Sequence, residues 1–188
     1  MGAYDYDDTT TISGVKIGTG STLITEAGTG VTSATGSFYK SSVFEAGGII
    51  STKILIDITG FSSAAAADII GANDAANCHL GRITTAQCGT LYAGMMTCFE
   101  TPTTGEPDID LYSSNVGTGT ENVAITDAAL GTETILINAA ANWVKTGTKA
   151  LVAFPADGDY LYLVASDAGD VGVYDAGIFM IELLGYRA

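Results

Sequence analysis

Short runs of β-branched and aromatic residues are the feature that most constrains how this chain can fold. From Ser21 onward they are separated by clusters of Gly, Asn, Asp and Thr roughly every 8 to 12 residues, a spacing typical of β-sandwiches and β-barrels. Apolar stripes of helical period are scarce. The pattern therefore predicts an all-β fold, an antiparallel β-sandwich, and a jelly roll is one topology that fits it.

The segment from Ile49 to Ile58 gives the clearest strand prediction. Successive side chains of a strand point to opposite faces, so the isoleucines at even-numbered positions would share one face with Thr52. Lys53 and Asp57 would lie on the other face. This segment is therefore expected to have one buried and one wetter face.

Other segments bring the predicted number of strands to roughly eight to ten, which is enough for two packed sheets. The segment Ser62–Ile70 fits a short helix or a strand equally well. Asp157-Gly158 is a hairpin signal, because both residues tolerate the positive φ of a type I′ turn. The other strand candidates are Ser21–Thr25, Val31–Ser37, His79–Thr84, Leu91–Glu100, Ile109–Ser113, Glu133–Asn138, Lys149–Phe154, Tyr160–Ala165 and Gly177–Leu184.

The first twenty residues are polar and rich in Gly and Thr, with no sustained apolar period. We therefore predict an extended N-terminal arm over residues 1–20 and a single β-sandwich domain over residues 21–188. Aspartates and tyrosines alternate near the start of the arm, and we expect this part to bind a partner. The arm residues predicted to make that contact are Tyr4, Asp5, Tyr6, Asp7 and Asp8.

Charge argues against two classes of partner. The 188 residues include 21 Asp and Glu against 7 Lys and Arg, a formal net charge of -14. Such a field repels phosphate backbones and anionic membrane surfaces, so we expect no nucleic acid and no membrane as partners. The first residues have neither a basic start nor an apolar stretch, so no secretory signal peptide is expected.

The low charge content points instead to protein contacts. Only 15% of the residues are charged, whereas 47% are hydrophobic. Ordinary soluble domains carry about 25% charged residues. Part of the apolar excess is therefore expected to meet another protein, because monomers rarely leave large apolar patches exposed to water.

Cysteine and histidine give no sign of a metal or catalytic site. Cys78, Cys88 and Cys98 are ten residues apart, which does not match the closely spaced ligand pairs of zinc sites, and we expect reduced, buried thiols. His79 is the only histidine, and its neighbour Cys78 would point to the opposite face of a strand. A contact of His79 with another cysteine across strands stays open, but a structural histidine is favoured. We predict no catalytic, cofactor-binding or metal-binding residues.

Two pairs of carboxylates have a spacing that is compatible with calcium binding. Asp108 and Asp110 are two residues apart at the start of a predicted strand, so both side chains could point to one face. Asp157 and Asp159 flank Gly158. Oxygen ligands at such positions suit calcium. The interpretation favoured for both pairs is that the carboxylates are exposed to water at the start of a strand or in a turn.

Trp143, Tyr160 and Tyr162 are the aromatic residues whose surroundings bear on function. Trp143 would anchor either the core or a bound sugar, and the core is favoured. Tyr160 and Tyr162 would share one face of their strand, with their hydroxyls reaching water.

Three stretches together resemble virion structural proteins of tailed bacteriophages, especially phages of marine bacteria. They are AADIIG from Ala66 to Gly71, GTLYAGMMTCFETPTTGEPDIDLY from Gly89 to Tyr112, and GDYLYLVA with YDAGIFMIELLGY up to Tyr186. The similarity covers about residues 48–188 and contains no catalytic motif, so no functional residue is carried over. It implies a β-sandwich that decorates a capsid or another virion surface, without a reaction or a cofactor.

The function predicted from these observations is that of a capsid decoration, or cement, protein, which is not an enzyme. The resemblance implies binding to the major capsid protein on the outer capsid surface after synthesis in the host cytoplasm. It also implies self-association, expected as a homotrimer. The alternatives are a glycan-binding module on a tail or capsid fibre, using Trp143 or the Asp108 and Asp110 pair, and, more weakly, a β-sandwich hydrolase.

Overall fold

The structure, a computed structural model, describes residues 11–12, 15–16, 27–166 and 171–187. Within them, thirteen strands and two helical turns form. The helical turns are α1 (Thr29–Thr32) and α2 (Thr85–Cys88), and a 3-10 helix spans Ala128–Leu130. The strands are β1 (Thr11–Ile12), β2 (Val15–Lys16), β3 (Phe38–Ala46), β4 (Ile49–Asp57), β5 (Phe61–Ser63), β6 (Gly71–Ala72), β7 (Thr90–Thr103), β8 (Ile109–Ser114), β9 (Glu133–Ile137), β10 (Thr148–Ala150), β11 (Tyr160–Ala165), β12 (Gly172–Val173) and β13 (Ala176–Tyr186).

The strands form three antiparallel sheets. The large sheet has the order β1-β2-β3-β4-β13-β7-β10, the second sheet has the order β11-β8-β9, and the third has the order β12-β5-β6. The last strand, β13, lies between β4 and β7, so strands from distant parts of the chain meet in the large sheet. The predicted all-β sandwich is confirmed, while the jelly-roll topology stays a prediction.

Strand β4 shows why the large sheet has one buried face. Its even-numbered residues from Ile50 to Ile56 are at most 1% exposed, and Lys53 on the other face is exposed. The strand prediction for this segment and its alternation are confirmed. Burial of the isoleucines stabilises the sheet by roughly 1.5–3 kcal/mol for each side chain.

The core lies between the large sheet and the second sheet. Apolar side chains from the inner face of β4, β7 and β13 meet those of β8, β9 and β11. The second sheet is also covered on its far side, by a smaller cluster that includes Ile125 and Leu130 from the loops. Strand β11 is therefore buried on both faces. Central members of the main core are Ile54, Met96, Leu111, Leu136, Trp143, Leu163, Phe179 and Ile181.

Several predicted strands are confirmed and others are wrong. The predictions for β7, β8, β9, β11 and β13 are confirmed, with β11 at its predicted bounds. Of the predicted strand Lys149–Phe154, only Lys149 and Ala150 are in a strand, as the end of β10. His79–Thr84 is a loop that runs beside β11, with an isolated bridge from Arg82 to Tyr160 and a hydrogen bond from the N–H of Leu80 to the carbonyl of Leu161 at 2.8 Å. Ser62–Ile70 forms no helix, because β5 ends at Ser63 and an irregular segment follows.

The segment predicted as a strand from Val31 to Ser37 begins with the helical turn α1 instead. Gly30 explains the difference, because its backbone N–H donates to the carbonyl of Asn77 at 3.2 Å. A side chain at this position would meet the carbonyl oxygen of Ala76 at 2.8 Å. The close approach of two loops, rather than strand propensity, therefore determines the local conformation.

Two features near the start of the chain differ from the predicted division. Strand β2 pairs with β3, with Val15 opposite Ala46 and Lys16 opposite Glu45, so the large sheet continues into the predicted arm. The candidate Ser21–Thr25 and the proposed arm contacts lie outside the described residues. Those contacts are Tyr4, Asp5, Tyr6, Asp7 and Asp8.

The turn at Asp157-Gly158 has a different form from the one predicted. The N–H of Asp159 donates to the carbonyl of Ala156 at 3.1 Å, and only Gly158 of the two central residues has positive φ, at 91°. These features match a type II turn and not type I′. The turn does not join a paired hairpin, because β11 pairs with β8.

No helix among the described residues is long and apolar enough to cross a membrane.

Candidate interaction surface

The outer face of the large sheet carries an extended apolar surface, here called the open face. Its side chains come from β3, β4, β13, β7 and β10, and each of them is exposed or half-buried. Its apolar members are Phe38, Phe44, Ala46, Ile49, Leu55, Tyr92, Ala93, Met95, Ala150, Ile178, Met180, Leu184 and Tyr186. Its polar members are Lys40, Ser42, Ser51, Lys53, Asp57, Thr90, Thr97, Glu100, Thr148 and Glu182.

Strand register places the apolar residues of the open face beside one another. Leu55 of β4 lies opposite Met180 of β13, and Leu184 of β13 lies opposite Ala93 of β7. Near one end of the strands, the rings of Tyr92 and Tyr186 are 6.4 Å apart. Side chains on paired strands at these distances form a continuous surface.

The open face carries almost no net charge. Lys40 and Lys53 face three carboxylates, those of Asp57, Glu100 and Glu182, so the formal charge of the face is -1, whereas that of the chain is -14. The Nζ of Lys53 lies 3.3 Å from a carboxylate oxygen of Glu182, which also accepts a hydrogen bond from Ser51 at 3.0 Å. Most of the acidic groups of the chain are therefore on other parts of the molecule.

Large apolar side chains of the open face are well exposed to water. Phe44 is 52% exposed, Ile49 is 47% exposed and Tyr186 is 43% exposed. Sheet faces that meet water normally carry polar residues at alternate positions. A broad apolar face is instead a feature of protein interaction sites.

A shallow groove lies at the end of the large sheet, beside α2. It has a volume of about 220 Å³ and is lined by Ile83, Leu91, Phe154 and neighbouring residues. At its rim, a carboxylate oxygen of Asp157 accepts a hydrogen bond from the N–H of Thr85 at 2.7 Å. This hydrogen bond lowers the pKa of Asp157. The carboxylate of Asp157 therefore holds α2 against the turn that precedes β11.

Asp108 and Asp110 lie inside the protein, so the prediction that their carboxylates are exposed to water at the start of a strand is wrong. Asp108 is 7% exposed and Asp110 is 4% exposed. The carboxylate of Asp110 accepts a hydrogen bond from the N–H of Ala139 at 2.6 Å, and burial raises the pKa of Asp110. The sandwich buries both faces of β8, which the sequence pattern does not reveal.

Asp159 is likewise an internal group, whereas Asp157 is exposed as predicted. The Asp159 carboxylate accepts hydrogen bonds from the hydroxyl of Ser113 and the N–H of Ala156, both at 2.9 Å. Among the described residues, no three His, Cys, Asp or Glu side chains are grouped as metal ligands. Asp110 and Asp159 therefore both hold neighbouring segments of chain in place.

Trp143 is part of the core, as favoured from the sequence. It is 1% exposed, and its ring packs edge-on against Phe179 with 5.5 Å between ring centres. Its indole N–H donates to the carbonyl of Ile109 at 2.7 Å. A sugar therefore cannot stack on Trp143 in this structure, and a glycan-binding site would need residues other than Trp143, Asp108 and Asp110.

Tyr162 is fully buried, so the prediction that its hydroxyl reaches water is wrong. The hydroxyl donates to the carbonyl of Val116 at 2.8 Å and accepts from the N–H of Gly119 at 3.2 Å. Burial raises the pKa of Tyr162 to about 12. Tyr160, on the same face of β11, remains half-exposed.

The three cysteines are free and buried, as expected. Burial raises the pKa of Cys78 to about 11 and also raises the pKa values of Cys88 and Cys98. The neutral thiol is a poor nucleophile. His79 packs edge-on against Tyr160, with 4.9 Å between ring centres, and burial lowers its pKa. The thiols and the imidazole are thus held in their neutral forms.

Comparison with known proteins gives no relatives: no family model, curated protein or solved structure matches this chain.

Sequence reasoning missed the open face because it missed β3. In the segment FYKSSVFEA, Phe38 and Phe44 point to the outer face while Tyr39 and Val43 point inward. Apolar residues on both faces hide the alternation that made β4 recognisable. A strand over this segment places Phe38, Lys40, Ser42 and Phe44 on one face. The two phenylalanines on that face were the available signal that it carries exposed apolar side chains.

Proposed function

We propose that this protein is a structural subunit of a larger assembly and that the open face packs against another subunit. The observation that carries this proposal is a broad, largely apolar sheet face with a formal charge of only -1, on a chain with a net charge of -14. Burying apolar area stabilises an assembly by roughly 25 cal/mol for each Å². The charged side chains of the face add a desolvation cost, and the pairing of Lys53 with Glu182 within one copy reduces it.

The assembly that the sequence resemblance supports is the virion of a tailed bacteriophage. In this proposal the protein is a capsid decoration protein, not an enzyme, which binds the major capsid protein and braces the outer surface of the shell. It acts there together with other copies of the same chain. The acidic charge outside the open face suits an outer surface better than one that faces packaged DNA.

The buried carboxylates support a structural role in a more limited way. Glu121 accepts hydrogen bonds from the hydroxyl of Ser62 at 2.5 Å and from the N–H of Asp74 at 2.9 Å. Together with Asp110 and Asp159, it ties loops to the sandwich. These carboxylates have a role in the fold that needs no substrate.

Co-sedimentation with capsid shells tests the proposed function. Shells assembled from the major capsid protein of the same genome should carry the purified chain into the pellet at a fixed ratio. A chain lacking residues 1–10 keeps β1 and β2, and we expect it to fold but to bind shells more weakly if the tyrosines and aspartates of the arm contact the shell. A cryo-EM map of the particle then locates the chain. Failure to bind shells, together with absence from the map of the particle, would contradict the proposal.

A further inference from the structure

We propose that the open face binds the open face of a second copy of this chain, forming a two-fold symmetric dimer. This inference rests on the proposed function, because it names the subunit that covers the open face. It replaces the threefold arrangement expected from the sequence with a contact in which both copies use the same surface.

The size of the open face matches what a stable dimer needs. Strands β3 and β4 are each nine residues long, which corresponds to about 30 Å at about 3.4 Å for each residue. The five strands of the face, spaced about 4.8 Å apart, span about 24 Å. Each copy thus offers roughly 600–700 Å², and two copies bury about 1,200–1,400 Å², within the range of specific interfaces.

Charge favours a second copy as the occupant. A basic partner would be drawn to the acidic parts of the chain, and an acidic partner would be repelled by its field. The open face is nearly neutral, so it favours a partner surface that is nearly neutral and apolar as well. The open face of another copy has this property, so contact between two open faces brings few like charges of the two acidic chains together.

The polar groups of the open face also suit a self-complementary contact. Lys53 and Glu182 already pair within one copy at 3.3 Å, so neither needs a partner of opposite charge across the interface. Leu55 and Met180 lie next to this pair, near the middle of β4 and β13. A two-fold axis that passes close to them buries both side chains at the centre of the dimer, where binding energy is concentrated, while the more apolar end of the face, at Phe44, Ile49 and Leu184, contacts the partner farther out.

The proposed dimer has an unusual dependence on salt. The repulsion between two chains of charge -14 is screened as the Debye length falls from about 10 Å at about 0.1 M salt to about 3 Å at about 1 M. Apolar contacts are not weakened by this screening. The Kd for dimerisation should therefore decrease about threefold or more over this range, whereas an interface held by ion pairs would weaken.

Analytical ultracentrifugation of the purified full chain tests the inference. We expect a dimer that tightens with salt, and Leu55→Asp and Met180→Asp should each weaken it at least about thirtyfold by burying a charge at the centre. The control Thr118→Asp adds the same charge at an exposed loop position away from the open face and should leave the dimer intact. Thermal unfolding followed by circular dichroism confirms that each variant is folded.

Disulfide trapping provides a second measurement that keeps the open face apolar. The native cysteines are buried, so Met180→Cys introduces the accessible thiol, and mild oxidation should give a covalent dimer. The same treatment of Thr118→Cys should not.

The outcomes separate this inference from the proposed function. A monomer or a trimer at all salt concentrations, or a dimer that both aspartate variants leave intact, overturns the inference. A monomer that still sediments with capsid shells overturns it while the proposed function stands. A dimer that never binds shells supports the inference and contradicts the proposed capsid role.

Discussion

Replacing Trp143 tests whether this side chain holds the sandwich together. The indole is 1% exposed, packs on Phe179 and donates to the carbonyl of Ile109 at 2.7 Å. Trp143→Ala removes the packing and the hydrogen bond together and should reduce the free energy of unfolding by about 3–5 kcal/mol. In a chain of this size, that loss corresponds to a fall in Tm of roughly 10 °C.

Trp143→Phe separates the two contributions. The phenyl ring keeps part of the contact with Phe179 but has no N–H, so the buried carbonyl of Ile109 loses this donor. We expect a smaller loss of about 1–3 kcal/mol, from the unsatisfied carbonyl and the reduced packing. Phe154→Ala serves as a matched control, because Phe154 is 42% exposed and its truncation should change stability by no more than about 0.5 kcal/mol.

Urea unfolding followed by far-ultraviolet circular dichroism is the appropriate measurement for all three variants. Trp143 is the only tryptophan, so intrinsic fluorescence is lost when it is replaced. In the unmodified chain, fluorescence should report a buried indole that becomes exposed in the same transition. A loss below about 1 kcal/mol for Trp143→Ala would refute the structural role, and loss of glycan binding without loss of stability would support the sugar-binding interpretation.

Three further predictions concern buried ionisable groups. Burial lowers the pKa of His79, so stability should fall as the pH drops below about 6.5, where the unfolded chain takes up this proton first. An NMR titration of this single histidine with a midpoint at or above about 6.5 would contradict the expectation, and His79→Gln should remove its part of the pH dependence. Burial raises the pKa of Asp110, so this group favours folding as the pH falls toward that pKa. Asp110→Asn should keep the hydrogen bond from Ala139 and lose this contribution, which urea unfolding at several pH values measures, and an unchanged pH dependence would count against it. The three buried thiols should react with Ellman's reagent only after denaturation, and rapid labelling of the folded chain would show that they are accessible.

The existence of an apolar contact surface could be predicted from the sequence, but its location could not. The charge-poor composition predicted an apolar contact with another protein, but it gave no location. Locating that contact requires β3, which was missed, and the central position of β13, which pairs with β4 and β7 at long sequence separations. The register that places Leu55 beside Met180 depends on those pairings.

By itself, the sequence determined the fold class and those strands whose successive side chains alternate between the core and water. Strand β4 and its buried face could be predicted because one side of the large sheet contacts the core and the other is exposed to water. Apolar and more polar residues therefore alternate along this strand. Composition determined the acidity, which needs no structure.

Only the tertiary structure decided which groups are buried on both faces. Strands β8 and β11 lie between two apolar layers, so Asp110 and Tyr162 are internal although their residue types usually favour water. The same packing brought Gly30 against a distant loop and made a helical turn where strand propensity predicted extension. Alternation reports the surroundings of a single strand, whereas burial by a second layer depends on residues far away in the chain.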